Sequence, residues 1–443
     1  METKQNKFKK FIFESSIVDA TALKFTSEIQ SLLNLLVFFI IWPAINLLGN
    51  SITFYIFIIL SFRVGSFWLK SGLGKPLFMS LILITILSAV FAPYADMPRH
   101  EGLFSVITIC LQWVYWILLS VFFIVHRNAV DYFQVAKWVF YGTIAAAIGF
   151  YLVRYKLDTG PLEFKTFLSR NSFVFTLLVS IPVSFYYLKQ AVHTSSLPYY
   201  LAGFLLVMLL TNGRSGGIII LLEILLICSV LYQSFQQLAR ILFAVIIVIF
   251  FLNETSVFQP VKNNLADKVA AINPRLASLL RGEEGDRDGD LSYDKSWLLR
   301  VLMVEKGLEI VAEHPIIGIG PNNFVYYDAA LRGQAKLDRL SSSDRGFLNS
   351  RSSHNSYIQV LSEYGVFGFF FFILILIIPV FFFIKKFFTA KLQYHDLFAI
   401  SIIGAAMHFY AINTITGAIA WMFIGLAWVC ISFQKSSWFQ INS

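Results

Sequence analysis

Charge is what this chain has least of. Only 14% of its 443 residues are Asp, Glu, Lys or Arg, against roughly 25% in an ordinary soluble domain. With a 57% hydrophobic share, that shortage excludes a conventional cytosolic globule, a disordered chain and a coiled coil. Cysteine is scarce as well. Cys110, Cys228 and Cys430 all lie inside apolar runs with no CxxC spacing, which speaks against a disulfide framework or a thiolate metal site and leaves three small buried hydrophobes. The histidines form no HxxxH or HxH pair, so a metal site has no support. No internal repeat suggests the inverted halves of a secondary transporter.

Long apolar runs are what the chain has instead, and its 46 Phe are spread through them. A membrane span needs about 20 mostly apolar residues. The runs read as an all-α polytopic membrane protein of about 12 transmembrane helices, near 30–47, 51–68, 77–93, 103–125, 131–153, 171–188, 197–211, 215–234, 239–252, 357–384, 396–412 and 415–434. The ninth is short; the tenth is long enough to rise above the membrane. This divides the chain into an N-terminal segment 1–29, nine spans over 30–252, one large polar loop domain with amphipathic helices over 253–355, three spans over 356–434, and a tail 435–443. The opening segment Met1–Gln30 carries five Lys and lacks a cleavage pattern, so it is expected to be retained.

Orientation follows from the distribution of Lys and Arg. With the N-terminus inside, the inner segments hold fifteen of them and the short outer loops six. That bias puts both termini in the cytoplasm and the large loop outside. The loop, Asn253–Asn355, has thirteen Lys or Arg against fourteen Asp or Glu. Its near-zero balance is unlike a nucleic-acid platform, so the net charge of +9 is a matter of topology.

Chemistry in such a protein belongs at the outer membrane–water boundary, where three polar groups stand among apolar surroundings. The first is Thr211-Asn212-Gly213-Arg214-Ser215-Gly216-Gly217, at the start of the eighth span. Free N–H groups at a helix start favour an anion, and Arg214 adds a bidentate phosphate-binding charge. An arginine snorkelling to the interface fits the same residues.

The second is the helical stretch Lys295–Glu313. On a wheel of about 100° per residue, Glu305, Lys306, Glu309 and Glu313 fall opposite Arg300, while Trp297, Val304, Leu308 and Val311 share its side. This reading puts Arg300 on the apolar face, where a charge needs a partner. Either a buried acid of the protein or an anionic lipid head group would serve.

The third is Arg351-Ser352-Ser353-His354-Asn355-Ser356, before the tenth span. A neutral imidazole at a helix entrance can accept a proton at neutral pH; an interfacial histidine satisfied by its neighbours is the plainer alternative. Within the spans, Glu223 and His408 are the clearest polar groups, each expected to hydrogen-bond a neighbouring helix. The acidic run Glu283–Asp290 does not match a calcium-loop pattern and reads as a solvated stretch.

The run His354-Asn355-Ser356-Tyr357-Ile358-Gln359-Val360-Leu361-Ser362-Glu363-Tyr364-Gly365-Val366-Phe367-Gly368 resembles the signature of the O-antigen ligase and polymerase superfamily. Glu313-His314-Pro315-Ile316-Ile317-Gly318-Ile319-Gly320-Pro321-Asn322-Asn323-Phe324 resembles the segment preceding it there, with Arg300 at the matching arginine and Gly213-Arg214-Ser215 at another recurrent feature. The likeness extends from about residue 205 to 370.

The resemblance implies a metal-independent membrane glycosyltransferase of GT-C kind in the bacterial cytoplasmic (inner) membrane, without cofactors, serving surface polysaccharide or lipopolysaccharide synthesis. Its partners would be an undecaprenyl-pyrophosphate-linked glycan donor and a glycan or glycolipid acceptor. Carried over, His354 becomes the catalytic base, Arg214 and Arg300 the diphosphate ligands, and Asn355 and Glu363 supporting residues. A polymerase of the same superfamily, joining glycan to another lipid-linked repeat unit, is the alternative; a lipid-glycan transporter is a more distant one.

Overall fold

The computed structural model describes residues 24–42, 46–47, 50–65, 74–91, 103–154, 170–210, 214–243, 264, 267–268, 291–325, 327, 353–411, 414–415 and 417–440. Its helices are α1 Ser27–Ile41, α2 Ile52–Val64, α3 Lys75–Phe91, α4 Leu103–Val125, α5 Tyr132–Arg154, α6 Arg170–Ala191, α7 Leu197–Leu210, α8 Arg214–Leu231, α9 Leu291–Glu313, α10 Ser356–Thr389, α11 Leu397–Ala411 and α12 Ala418–Gln440. The only strand pairing among the described residues is a two-residue antiparallel bridge, β1 Asn46–Leu47 with β2 Asn50–Ser51, between α1 and α2. The expected acidic run and Thr211–Gly213 lie outside the described residues.

Four helical stretches are long and apolar enough to cross a membrane, at Ile107–Val125, Tyr132–Leu152, Asn171–Ala191 and Ser356–Thr389, and shorter apolar helices stand beside them. The chain is an integral membrane protein. Its interior and its rim differ as that requires. Along α12, every described side chain from Ala420 to Ile431 is buried. A helix apolar all round is stable only when covered all round, and α12 is covered by α4, α11 and α10. Its polar atoms are satisfied inside: Trp421 Nε1 donates to the Ile415 carbonyl at 3.1 Å and Trp428 Nε1 to that of Ile375 at 2.9 Å. Around the outside, Phe62, Leu83, Phe91, Ile148, Phe370 and Phe381 are more than half exposed, far more apolar surface than a water-soluble protein shows.

Two ends of the bundle can be told apart by their contacts. At one, the Phe25 N–H bonds the Ala129 carbonyl at 3.0 Å, and Tyr132 at the start of α5 meets Phe398 at the start of α11. Lys189 stands over the Tyr394 ring, and Tyr186 over His395. Gln236 and Arg240 close the end of α10, donating to the carbonyls of Phe387 and Ala390. This is the basic end: Lys24, Arg127, Lys189, Arg240, Lys385, Lys386 and Lys391 gather there.

The basic end is pinned by a buried acid. Asp396 is fully covered and pairs with Lys386 at 2.7 Å while accepting from the Gln393 N–H at 2.6 Å. Burial pushes the neighbouring His395 imidazole below its usual range, Asp396 pulling the other way. Asp396→Ala leaves the Lys386 ammonium without its counter-charge, and should cost about 3 kcal/mol. Thermal unfolding of the detergent-solubilised protein would read that as a lowered midpoint.

At the opposite end, which we call the loop end, α10 begins. Tyr357 donates its hydroxyl to the Ala406 carbonyl at 2.7 Å, and the Thr414 N–H donates to Ser356 Oγ at 3.0 Å. Helix α9 packs here too: a Cβ on Gly307 would overlap the Ile358 side chain. Between Val366 and Thr389, α10 has 24 residues, about 36 Å of helix, enough to separate the two ends by a bilayer's hydrocarbon thickness.

Midway along the bundle sit Glu223 and His408, both fully buried. The Glu223 carboxyl occupies the space over Gly404, one turn from His408, whose ring meets Phe175 at 5.4 Å. The expected hydrogen bonds to neighbouring helices are not made: no described residue bonds either carboxyl oxygen or either imidazole nitrogen. Gly404 offers the carboxyl room but no donor.

Candidate active site at the loop end

Helix α10 opens with a tightly specified cap. Asn355 is extended (φ −148°) and its side chain accepts from the N–H groups of Tyr357 at 2.9 Å and Ile358 at 3.1 Å, satisfying two of the helix's orphan donors. Before it, His354 has φ 52°, a left-handed conformation that costs a non-glycine residue about 1–2 kcal/mol. Ser353 spans this histidine, donating to the Asn355 carbonyl at 2.5 Å while its Oγ accepts from the Asn355 N–H at 3.2 Å. His354 itself is half-buried.

Two turns into α10 the helix breaks. Gly365 has φ 64° and ψ −169°, a left-handed φ that an L side chain rarely adopts. The break releases the carbonyls of Ser362 and Glu363 from their helical partners, and the segment after α9 takes them. Ile319 N–H donates to the Ser362 carbonyl at 3.1 Å and Gly320 N–H to that of Glu363 at 2.9 Å. The Val366 N–H, turned outward, donates to the Pro315 carbonyl at 2.8 Å. The approach is backbone on backbone: a Cβ on Gly318 would overlap the Glu363 carbonyl, and one on Gly365 that of Ile316. Both motifs singled out in the sequence therefore form one structural unit. Ser88 of α3 adds a hydrogen bond from its hydroxyl to the Glu363 carbonyl at 2.7 Å.

The Glu363 side chain is fully buried. Its Oε1 accepts from the Phe324 N–H at 3.4 Å and from Gln359 Nε2. Gln359 in turn accepts at Oε1 from the Ser353 N–H at 3.0 Å.

Residues 199–373 match the family model described as O-Antigen ligase. That match places this part of the chain in the O-antigen ligase and polymerase superfamily. No curated protein matches the chain. The matched stretch holds α7 through the first half of α10, and so contains Arg214, Arg300, His354, Asn355 and Glu363. The match supports a membrane glycosyltransferase of the O-antigen ligase or polymerase type.

Within this O-antigen ligase domain, Arg214 is the first residue of α8. Helix α8 passes Gly404 at Glu223 and leads to Gln236 at the basic end, so Arg214 starts it toward the loop end, where His354 is. Its side chain is outside the described residues. Arg300 stands two turns before Gly307 on α9, and so belongs to the element docked on the signature helix.

The expected environment of Arg300 is corrected. It is exposed, and the buried face of α9 is instead Leu302, Met303, Lys306, Gly307 and Ile310. Leu308, placed on the inner side by the wheel, is 51% exposed. The buried cation is Lys306, its Nζ 5.1 Å from the centre of the Phe324 ring. A wheel that scores lysine as polar misses this, because the four-carbon stem packs as a hydrophobe and an aromatic face receives the ammonium. The i, i+4, i+8 series Leu302–Lys306–Ile310 was the available signal.

Gln359 and Ser353 were also not singled out. The i, i+4 spacing of Gln359 and Glu363 hints at their bond, but nothing in the pattern points to the Ser353 partner. Asn355, by contrast, stands in the motif read from the sequence, and the structure shows it capping α10. None of the three cysteines is in a disulfide: Cys430 is buried, with its Sγ 3.5 Å from Asp396 Oδ1, and Cys110 and Cys228 are half-buried; among the described residues no cluster of three potential metal ligands occurs.

Proposed function

We propose that this protein transfers a glycan from an undecaprenyl-pyrophosphate carrier to an acceptor hydroxyl, as a ligase, at the outer face of the bacterial cytoplasmic membrane. The proposed topology has twelve spans, both termini inside, and the 253–355 loop outside. The basic end supports it, since cytoplasmic loops carry the excess of Lys and Arg, and His354 lies at the other end. Residues 236–240 bond the far end of α10, while 307–320 pack on its beginning. A ninth crossing between them accounts for both.

His354 acts as general base. As the acceptor oxygen bonds to the anomeric carbon, its proton passes to the imidazole, and the carbon–oxygen bond to the diphosphate breaks with the electron pair leaving on that diphosphate. Arg214, at the positive start of α8, and Arg300, on the exposed flank of α9, meet the departing charge. Two guanidinium groups and a helix start supply what a divalent cation supplies elsewhere, so the reaction proceeds with chelator present. The observation that carries this reading is His354, left-handed beside the Asn355 cap and joined through Ser353, Gln359 and Glu363 to the docked segment that follows the Arg300 helix.

The test is transfer by the purified protein from a defined lipid-diphosphate donor to a panel of acceptors in chelator. Formation of a new glycosidic bond on a non-carrier acceptor supports the ligase reading; extension of a second lipid-linked unit alone overturns it. Arg214→Lys and Arg300→Lys should each lower turnover about 10- to 100-fold, because a lysine cannot make the bidentate contact. Turnover within about threefold of wild type in either would remove that residue from diphosphate binding.

A further inference from the structure

The base proposed above sits in a loop whose conformation is unfavourable by itself, and the structure connects that loop to a chain of buried polar groups. Starting from the docked segment, the Phe324 N–H donates to Glu363 Oε1, Gln359 Nε2 donates to the same oxygen, and the Ser353 N–H donates to Gln359 Oε1. Ser353 is chain neighbour to His354 and closes over it onto Asn355. All four members, Phe324, Glu363, Gln359 and Ser353, are at least 98% buried.

The direction of this relay is fixed. A backbone N–H only donates, so the Gln359 amide, whose oxygen takes the Ser353 N–H, can stand in one orientation alone. Flipping it would set its oxygen against Glu363 and its NH2 against the Ser353 N–H. Left-handed φ at a non-glycine residue persists only where its surroundings over-determine it. Asn355 caps the helix after His354, but the element that fixes the residue before it is Gln359.

We infer that Gln359 and Glu363 are positioning residues that hold His354 in its reactive geometry and tie that geometry to the docking of the 315–324 segment. The inference rests on the transferase reading for its kinetic consequences, not for its structural ones. The arrangement makes the base competent only while the segment that follows the Arg300 helix is seated. Without the relay, the chain at His354 is free to return to an ordinary φ and carry the imidazole away from the acceptor.

Four variants test it: Gln359→Leu, Glu363→Ala, the two combined, and Glu363→Gln. Glu363 Oε2 has no hydrogen-bond partner among the described residues, so a glutamine can put its amide nitrogen there and keep both bonds on Oε1. Misplacing a catalytic group by about 1 Å costs on the order of 100-fold. Gln359→Leu and Glu363→Ala should therefore each lower kcat by about 30- to 100-fold, with KM for the donor within about threefold of wild type. The double variant should be no worse than the poorer single one, because both break the same chain. Glu363→Gln should stay within about fivefold of wild type.

A second measurement needs no substrate. Diethyl pyrocarbonate modification of His354, followed by peptide mass spectrometry on membrane-inserted protein, should change in rate by about fivefold or more in Gln359→Leu and in Glu363→Ala. Unchanged His354 reactivity in both, or kinetic losses that multiply in the double variant, overturns the inference. So does a Glu363→Gln protein as impaired as Glu363→Ala. Altered His354 reactivity in a protein that transfers no glycan to any acceptor upholds the positioning and overturns the transferase reading instead.

Discussion

His354→Ala should lower kcat by about 100- to 10,000-fold, the range over which a positioned general base contributes, while KM for the lipid-linked donor moves little. The split follows from the division of labour at the loop end. On the proposed mechanism, donor affinity comes from the diphosphate and lipid contacts, which the imidazole does not make in the ground state. As the proposed base, the imidazole acts only as the acceptor proton leaves, so its removal should subtract from the transition state alone. Folding should be little affected: His354 is half-buried, and the helix behind it is capped by Asn355. Relieving φ 52° with alanine brings no benefit, since alanine meets the same steric penalty. Initial rates at saturating and limiting donor, on protein shown to be inserted at wild-type level, would read the effect. Wild-type turnover would remove His354 from the mechanism.

How far the sequence alone reaches is clearest from three places. The apolar helices were legible because hydropathy reports burial in lipid or in a bundle without knowing which: eleven of the twelve expected runs overlap one of the helices α1–α8 and α10–α12, within several residues at each end. The tenth run was read as one continuous span, whereas the structure breaks it at Gly365. Hydropathy cannot register a change of φ within an apolar stretch. The order of the two motifs was legible as well, but the bonds between them were not. Pro315 and Val366 are 51 residues apart, and a backbone-to-backbone contact leaves no trace in side-chain pattern beyond the glycines that permit it. Arg300 failed for a third reason. Helix α9 has apolar residues on two flanks, so the wheel had a choice of faces, and packing of Gly307 on Ile358 decided for the one containing Lys306.

Those glycines carry the last prediction. Gly365→Ala should abolish measurable transfer without preventing insertion. Its Cβ would overlap the Ile316 carbonyl, which as backbone cannot swing aside, and its φ of 64° would be strained even in open space. The relaxed alternatives are worse than the strain. Straightening α10 would take the Ser362 and Glu363 carbonyls back into the helix and strand the N–H groups of Ile319 and Gly320, while Pro315 would lose its donor. Each buried group left unpaired costs about 1–3 kcal/mol, so undocking the 315–324 segment into water becomes the cheapest outcome. With it goes the Phe324 anchor on Glu363, and through Gln359 the seat of His354. Gly318→Ala approaches the same contact from the other side, meeting the Glu363 carbonyl at φ 68°, and should behave alike. Gly203→Ala is the control, because a Cβ there meets nothing within 4 Å; it should leave activity intact. Limited proteolysis of the detergent-solubilised protein, with cleavage sites mapped by mass spectrometry, should open the 313–324 stretch in both loop-end variants and not in the control. Full transfer activity in Gly365→Ala, or protection of that stretch equal to wild type, would mean that the two motifs can work without being docked on one another.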